Sequence, residues 1–469
     1  PSYLAATVAA GLVFVLYLVT LAPSTAMWDT SEYMAAAKVL GLPHPPGNPL
    51  FVLLGHVFGL LPIPVSYAQR INIMAAVASA GAAWFWFLFT ERVLTRWLAT
   101  RWQRIAGASA AVLVGATSFT VWNQSVVNEK VYTISLVGIA AISWLMVLWC
   151  DDPDAPRADR LLILVAFLMG LGYANHPAGF LPLPAAGIAV LVRRPQTLLR
   201  WRLVLVAIGA LVIGLTPFAV EPVRAAYFPT INEGEPTGCT THFEWSCTFS
   251  ALTYSRLDDN IERKQYQKPS VLDRQAPFTA QVGMYWMYFK WQWLRDAYHE
   301  HPVLQNFLAA LFLVLGLLGA WVHWKYDRES FWYFAVLAFT LSLLLVYYMN
   351  FKYTWSQAPE LGSSVPREPR DRDYFFLWSY SAWSVWVALG LMYVWESLAA
   401  IAAGARDAAT AAVSALPTRA WLVASPVLLA GFIPLIGNAD QAPRSGQTFT
   451  RDWAVDMLNS VEPYAVSVT

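Results

Sequence analysis

The chain has 469 residues, 57% of them hydrophobic and only 13% charged, with a formal net charge of +1. So little charge excludes a soluble globular domain, and nucleic acid finds no basic stripe to bind. The composition is that of an all-α polytopic membrane protein, because about 20 apolar helical residues cross a hydrocarbon core of roughly 30 Å.

Eleven spans are expected, near residues 4–22, 70–91, 105–122, 131–150, 161–175, 179–192, 203–220, 303–322, 331–349, 374–395 and 420–437. The first is too long for a signal-peptide core and is read as a retained span. Because the chain opens on Pro1, a few leading residues are expected to be missing. The segment 50–62, LFVLLGHVFGLLP, is apolar but short, and is expected to lie in the interface rather than cross. Loops assigned to the inside carry Arg92, Arg96, Arg101, Arg104, Arg157, Arg160, Arg193, Arg194, Arg200, Arg202, Lys325, Arg328, Arg406 and Arg419. The short outer loops hold little beyond Lys38, Arg70 and Lys130. This bias places the N-terminus in the cytoplasm and the stretch 28–50 outside, at the periplasmic face of a bacterial inner membrane. Cys239 and Cys247 fall in the long outer loop 221–302, where the compartment favours a disulfide over two free thiols; Cys150 sits at an inner helix end.

The chemistry gathers outside. Asp and Glu fall in loops or at span ends, and no Lys or Arg sits mid-span, whereas an ion-coupled transporter or a flippase needs a charged path through its helices. After the first span, WDTSEYMAAAKVLGLPHPPGNPL places Asp29 and Glu32 one helical turn apart, followed by His44, Pro45, Pro46 and Gly47. Asn128 and Glu129 lie in NEKVY, and Asn175 and His176 in YANHPAG. The outer loop 350–373 breaks the charge rule with Lys352, Arg367, Arg370 and Arg372. Either these pair with Glu368, Asp371 and Asp373, or they clamp a phosphate, whose oxygens match the arginine fork. A carboxylate base facing a cationic clamp suits sugar transfer from a polyprenyl phosphate: the base takes the acceptor's proton and the clamp steadies the leaving phosphate.

Each residue also has a plainer role open to it. Asp29 is a good N-cap for a helix starting at Thr30, and Glu32 suits its first turn. His44 and His176 can be turn or hydrogen-bonding residues, and Glu129 an interface residue beside Lys130. DDPD at 151–154 lies on the inner side and reads as a solvated loop. No His or Cys set has metal spacing, so a divalent metal is not supported. The loop 221–302 is long enough to form an acceptor-facing lid or a structural cap.

Together, WDTSEY, LPHPPGNPLF, NEKVY, YANHP and REPRDRDYFF resemble the bacterial branch of a multipass family formerly of unknown function. Its eukaryotic member is the endoplasmic-reticulum protein O-mannosyltransferase acting on IPT domains of plexins. The resemblance implies a GT-C glycosyltransferase fold with interfacial helices in the first outer loop. It also implies a polyprenyl-phosphate-linked sugar donor, an inverting reaction, a protein or glycan acceptor and no obligatory nucleotide sugar or other cofactor. Carried over, Asp29 is the first-loop acid and Glu32 the second. His44 is the HPPG histidine at the donor phosphate, and Arg370, Arg372 and Asp373 form the arginine-rich motif. The expected organisation is a catalytic module over 1–437, with its first outer loop at 23–69, and a truncated periplasmic region from 438 to 469. An O-antigen-type ligase or polymerase is the alternative enzyme: it transfers a preassembled glycan, whereas the first reading adds one sugar per event.

Overall fold

The computed structural model describes residues 1–128, 131–266, 269–404 and 416–462; Glu129, Lys130, Arg406 and the end of the chain lie outside the described residues. Every expected span is helical. Tyr67–Leu94, Tyr132–Asp151, Ala158–Asn175, Pro302–Tyr326, Arg328–Met349, Asp373–Ala402 and Thr418–Asn438 are each long and apolar enough to cross a bilayer. Two bent pairs bring the number to nine: Arg101–Thr117 with Phe119–Ser125, at 71°, and Trp201–Gly214 with Thr216–Ala226, at 43°. The other two expected spans are the shorter apolar helices Tyr3–Val19 and Pro177–Arg193, and Pro49–Gly59 is shorter still. Among the described residues there is no strand, only isolated bridges of Leu42 with Asn232 and Tyr353 with Arg367. The chain is a multi-pass membrane protein.

The 71° bend is possible because side chains take over the backbone groups it frees, as a broken helix at membrane depth requires. The Asn438 side-chain amide donates to the Thr117 carbonyl at 3.0 Å, and the Gln292 carboxamide oxygen accepts from Thr120 N–H, also at 3.0 Å. Beyond the bend, the short arm Phe119–Ser125 turns its Thr120 hydroxyl onto Asp373, 2.6 Å away. The bundle closes around the helix Leu377–Ala402, which crosses Pro302–Tyr326 at glycines. A Cβ on Gly319 would run into the Trp386 carbonyl, and one on Gly390 into the Leu315 carbonyl. Apolar tails give helices no hydrophobic reason to associate, so close backbone packing has to supply the attraction.

The two ends of the bundle differ. At one end Arg92 pairs with Asp151 and Asp327, Arg96 and Arg193 both reach Glu329, and Arg194 meets Asp154. The acidic loop 151–154 is exposed at Asp152 and Asp154, as expected of a solvated loop, with Asp151 and Asp154 also in ion pairs. At the other end lie the loops 221–302 and 350–373, which frame the site. After Val220–Ala226 the chain doubles back over the first loop, with Leu42 N–H donating to Ile231 and Glu233 N–H to Leu42. The Arg224 guanidinium donates to the carbonyls of Val39 and Leu40, where the end of the preceding helix leaves them unpaired. Cys239 and Cys247 form a disulfide with their Cα atoms 4.9 Å apart, while Cys150 is free and buried.

Gly319→Leu is expected to destabilise the bundle by about 3 kcal/mol or more through overpacking. Gly138→Ala, where nothing lies within 4 Å of the added carbon, is expected to leave the detergent melting temperature within a degree or so of the parent, on the order of a surface change.

Candidate active site

The site starts with the helix Asp29–Val39. Its N-cap is Trp28, at φ 68°, so Asp29 is the first helical residue rather than the cap. A tryptophan held in that region costs on the order of 1 kcal/mol or more, and such strain persists where the surroundings fix it. Glu32 follows one turn later and grips the returning chain. One carboxylate oxygen accepts the His44 backbone N–H at 2.5 Å, and the other lies 2.8 Å from His44 Nδ1. The turn is closed by Gly47 N–H donating to the His44 carbonyl at 3.0 Å, with Gly47 at φ 76° and Asn48 at φ 47°.

Behind this turn runs a buried polar chain that the sequence motifs only partly indicate. The Tyr33 hydroxyl donates to Asn48 Oδ1, and Asn48 Nδ2 donates to the Asn175 carbonyl. Asn175 Nδ2 in turn reaches the Val131 carbonyl at 2.9 Å and the Ser135 hydroxyl at 3.0 Å. Burial, and then the negative charges of Glu32 and Asp29, hold the Tyr33 hydroxyl well above its ordinary range, so it stays a donor. Asn175 is thus a brace between the first loop and the helix Tyr132–Asp151. His176 accepts from Ala178 N–H at 3.1 Å and packs edge-on to Tyr132.

The long outer loop adds groups that its composition alone did not single out. Glu221 is 3% exposed and lies against Gly47, where any Cβ would strike its Oε1; its Oε2 accepts from Asn260 at 2.9 Å. Glu233 comes close enough to Glu32 and His44 to feel both. Burial first, and then the charge of Glu32, push its carboxyl above the usual range. Tyr266 presents its ring edge-on to His44, and the Arg263 guanidinium lies over that ring at 5.1 Å. A search for loop carboxylates could have flagged Glu221 and Glu233, but nothing local marks them as facing the first loop.

The arginine-rich loop divides its work. Arg367 donates to the carbonyls of Thr354, Ala358 and Gly362, and so props the loop. Arg372 pairs with Glu368 at 3.0 Å and donates to the Tyr374 hydroxyl at 2.6 Å. Asp373 accepts from Thr120. Internal pairing therefore accounts for Arg372 and Glu368, and carbonyl contacts for Arg367. The Arg370 guanidinium lies over the rings of Trp28 and Tyr374, 4.6 Å from each centroid. It lines a cavity of about 610 Å³ together with Thr25, Trp28, Arg444, Gln447 and Phe449. Trp28, in the wall of this cavity, directly precedes Asp29 in the chain.

Asp29, Glu32 and His44 each present a ligand atom within 4.8 Å of the others. No metal spacing is visible along the chain, but folding brings together a donor set that can hold a divalent cation.

Residues 29–199 match the family described as the Protein O-mannosyl-transferase TMEM260 N-terminal domain. That region of the chain is similar to this family. It contains Asp29, Glu32, His44, Asn48, Asn175 and His176, whereas the arginine-rich loop lies beyond it. Over 165 residues the chain is 28% identical to Protein O-mannosyl-transferase TMEM260 of Mus musculus, covering 34% of this chain and 22% of that protein. Over 221 residues it is 24% identical to the Dictyostelium discoideum protein of that name, covering 44% and 25%. The chain thus matches about a quarter of the length of these relatives. The structure superimposes on the Archaeoglobus fulgidus oligosaccharyltransferase tethered with an acceptor peptide, with a TM-score of 0.51 and 14% identity over 98% of this chain and 57% of that one. The fold is that of the GT-C enzymes.

Asn48→Ala strands the Tyr33 hydroxyl and the Asn175 carbonyl in a buried site. The expected loss is about 1–3 kcal/mol of stability, the usual cost of an unsatisfied buried polar group, read as a lower melting temperature in detergent. Glu221→Gln keeps the shape beneath Gly47 and is expected to leave that temperature nearly unchanged, whereas Glu221→Ala opens a cavity and lowers it.

Proposed function

We propose that the chain is an inverting glycosyltransferase. It moves one sugar, mannose or a similar hexose, from a polyprenyl phosphate to a hydroxyl of a protein or glycan at the periplasmic face of a bacterial inner membrane. The observation that carries this is the meeting of Asp29, Glu32 and His44 within a region similar to protein O-mannosyl-transferases; the cavity lined by Arg370 includes Trp28, the residue before Asp29. The concentration of arginine ion pairs at the opposite end supports the orientation, as does the disulfide on the acid side.

In this mechanism Asp29 is the base. It takes the proton from the acceptor hydroxyl as that oxygen attacks the anomeric carbon, and the bond from that carbon to the phosphate oxygen breaks from the opposite face. The lipid phosphate leaves with the electron pair. Arg370 offers it a cation already held over two rings, which costs little reorganisation at the moment of reaction. Arg372, steadied by Glu368, keeps the adjoining turn in place. Glu32 holds His44 toward the donor phosphate and is the second acid available to the acceptor. A divalent cation, if bound, would be held by Asp29, Glu32 and His44 and would supply charge stabilisation to the phosphate.

The test is transfer from synthetic polyprenyl-phosphate mannose to periplasmic proteins by the purified chain in detergent, with donor binding measured in parallel. Asp29→Asn is expected to bind donor and lose about 10²–10⁴-fold in turnover, the usual worth of a general base. Arg370→Ala is expected to weaken donor binding. Equal turnover by the parent and Asp29→Asn would remove Asp29 from the chemistry. Activity that disappears on chelation and returns with a divalent metal would assign the three-residue set to a cation.

A further inference from the structure

The loop 221–302 carries an exposed aromatic cluster that the chemistry above does not use. Tyr227 and Phe243 stack face to face with centroids 4.6 Å apart, Phe243 meets Trp245 edge-on, and Trp245 stacks on Phe249 at 5.4 Å. Tyr227 is 57% exposed and Trp245 72%, and the neighbouring Phe228, Leu252 and Tyr254 are exposed as well. Rings that pack this well on one another yet stay open to their surroundings form a platform, and the Cys239–Cys247 bridge ties its base together.

Three features of the surroundings identify what covers it. Tyr227 directly follows Val220–Ala226, the outer arm of a bent span, so the platform begins where that span ends. The arm leads out of the turn Thr216–Ala219, which packs on Pro49–Gly59, an apolar helix too short to cross that exposes Leu54 and Val57 and runs into exposed Leu60 and Leu61. Two apolar surfaces therefore adjoin at the same end of the bundle. From Tyr227 to Tyr254 there is no Lys or Arg, and beside the rings His242 Nε2 lies 2.7 Å from the Glu244 carboxylate. A surface of this kind is not built for an anionic partner. It has the character of residues that settle at the boundary between headgroups and acyl chains, where an amphipathic ring keeps its polar edge wet.

We propose that this disulfide-tied finger is a membrane anchor, with Trp245, Phe249 and Tyr227 inserted into the leaflet on the acid-bearing side. The inference does not depend on the transferase reading. Its consequence for the site is geometric. From the finger the chain runs through the helix Ala251–Ile261 to Asn260, which is held by Glu221, and on to Tyr266 against His44. Anchoring the finger sets the height of that cover over the leaflet, where the headgroup of any lipid-linked substrate lies.

The test is depth measurement by nitroxide relaxation on the full chain in phosphatidylcholine nanodiscs. Cys239 and Cys247 are bridged and Cys150 is buried, so an introduced cysteine is the reactive one. Labels are placed at Trp245→Cys and Leu252→Cys, with Asp258→Cys, exposed on the same helix as Leu252, as the aqueous reference. The expected result is strong relaxation of labels 245 and 252 by oxygen and weak relaxation by an aqueous nickel chelate, with the reverse at 258. Replacing part of the lipid with phosphatidylglycerol should change nothing. Nickel relaxation at 245 and 252 equal to that at 258 overturns the proposal and leaves the cluster as a water-facing platform for a protein or glycan. Should Trp245→Cys disturb the bridge, the label at 252 decides by the same criterion.

Discussion

Everything at the acid-bearing end depends on the double grip of Glu32 on His44, backbone N–H by one oxygen and ring nitrogen by the other. The grip folds a twelve-residue excursion back onto the first turn of its own helix, so the three groups that define the site arrive from a single stretch of chain. A carboxylate bound to a backbone N–H and an imidazole makes charge-assisted bonds, stronger than neutral ones and more demanding in direction. His44 is held in orientation as well as in position. Asp29 lies one turn away, at the strained entry to the helix, directly after Trp28 of the cavity wall.

The remaining elements keep that grip from opening. The Tyr33–Asn48–Asn175 chain ties the turn to two membrane helices, and Glu221 fills the space under Gly47 that any other residue's Cβ would need. Arg224 caps the carbonyl end of the acid-bearing helix from the far loop. The contacts of Asn48 with Asn175, Glu221 with Gly47 and Arg224 with Val39 and Leu40 join segments more than a hundred residues apart, so the first loop is rigid only once the bundle has formed. The arginine-rich loop follows the same logic, with Arg367 and Arg372 spent on its own shape and Arg370 presented to the cavity.

Much of this was legible beforehand. Spans were legible because a membrane helix must be apolar over its whole length, a constraint read locally; Tyr3–Val19 and Pro177–Arg193 are apolar helices of shorter length. Asp29, Glu32 and His44 were legible because they share one motif. Other assignments were not. Arg372 and Arg367 looked like phosphate ligands because positive charge in an outer loop lacks a topological reason, yet Glu368 and three carbonyls supply a structural one. The loop 151–154 is solvated as expected, but the arginine partners of Asp151 and Asp154 come from other segments and could not be read locally.

By itself the sequence determined the class, the spans, the sidedness of charge and the single stretch that holds the acids and the histidine, since each follows from neighbours in the chain. Only the tertiary structure decided that those three groups converge closely enough to share a cation, that Glu221, Glu233 and Tyr266 belong to their surroundings, and which arginine faces the cavity. Convergence depends on distances between segments far apart in sequence. Such distances are set by helix packing and by the pairing of buried polar groups, and no local pattern records either.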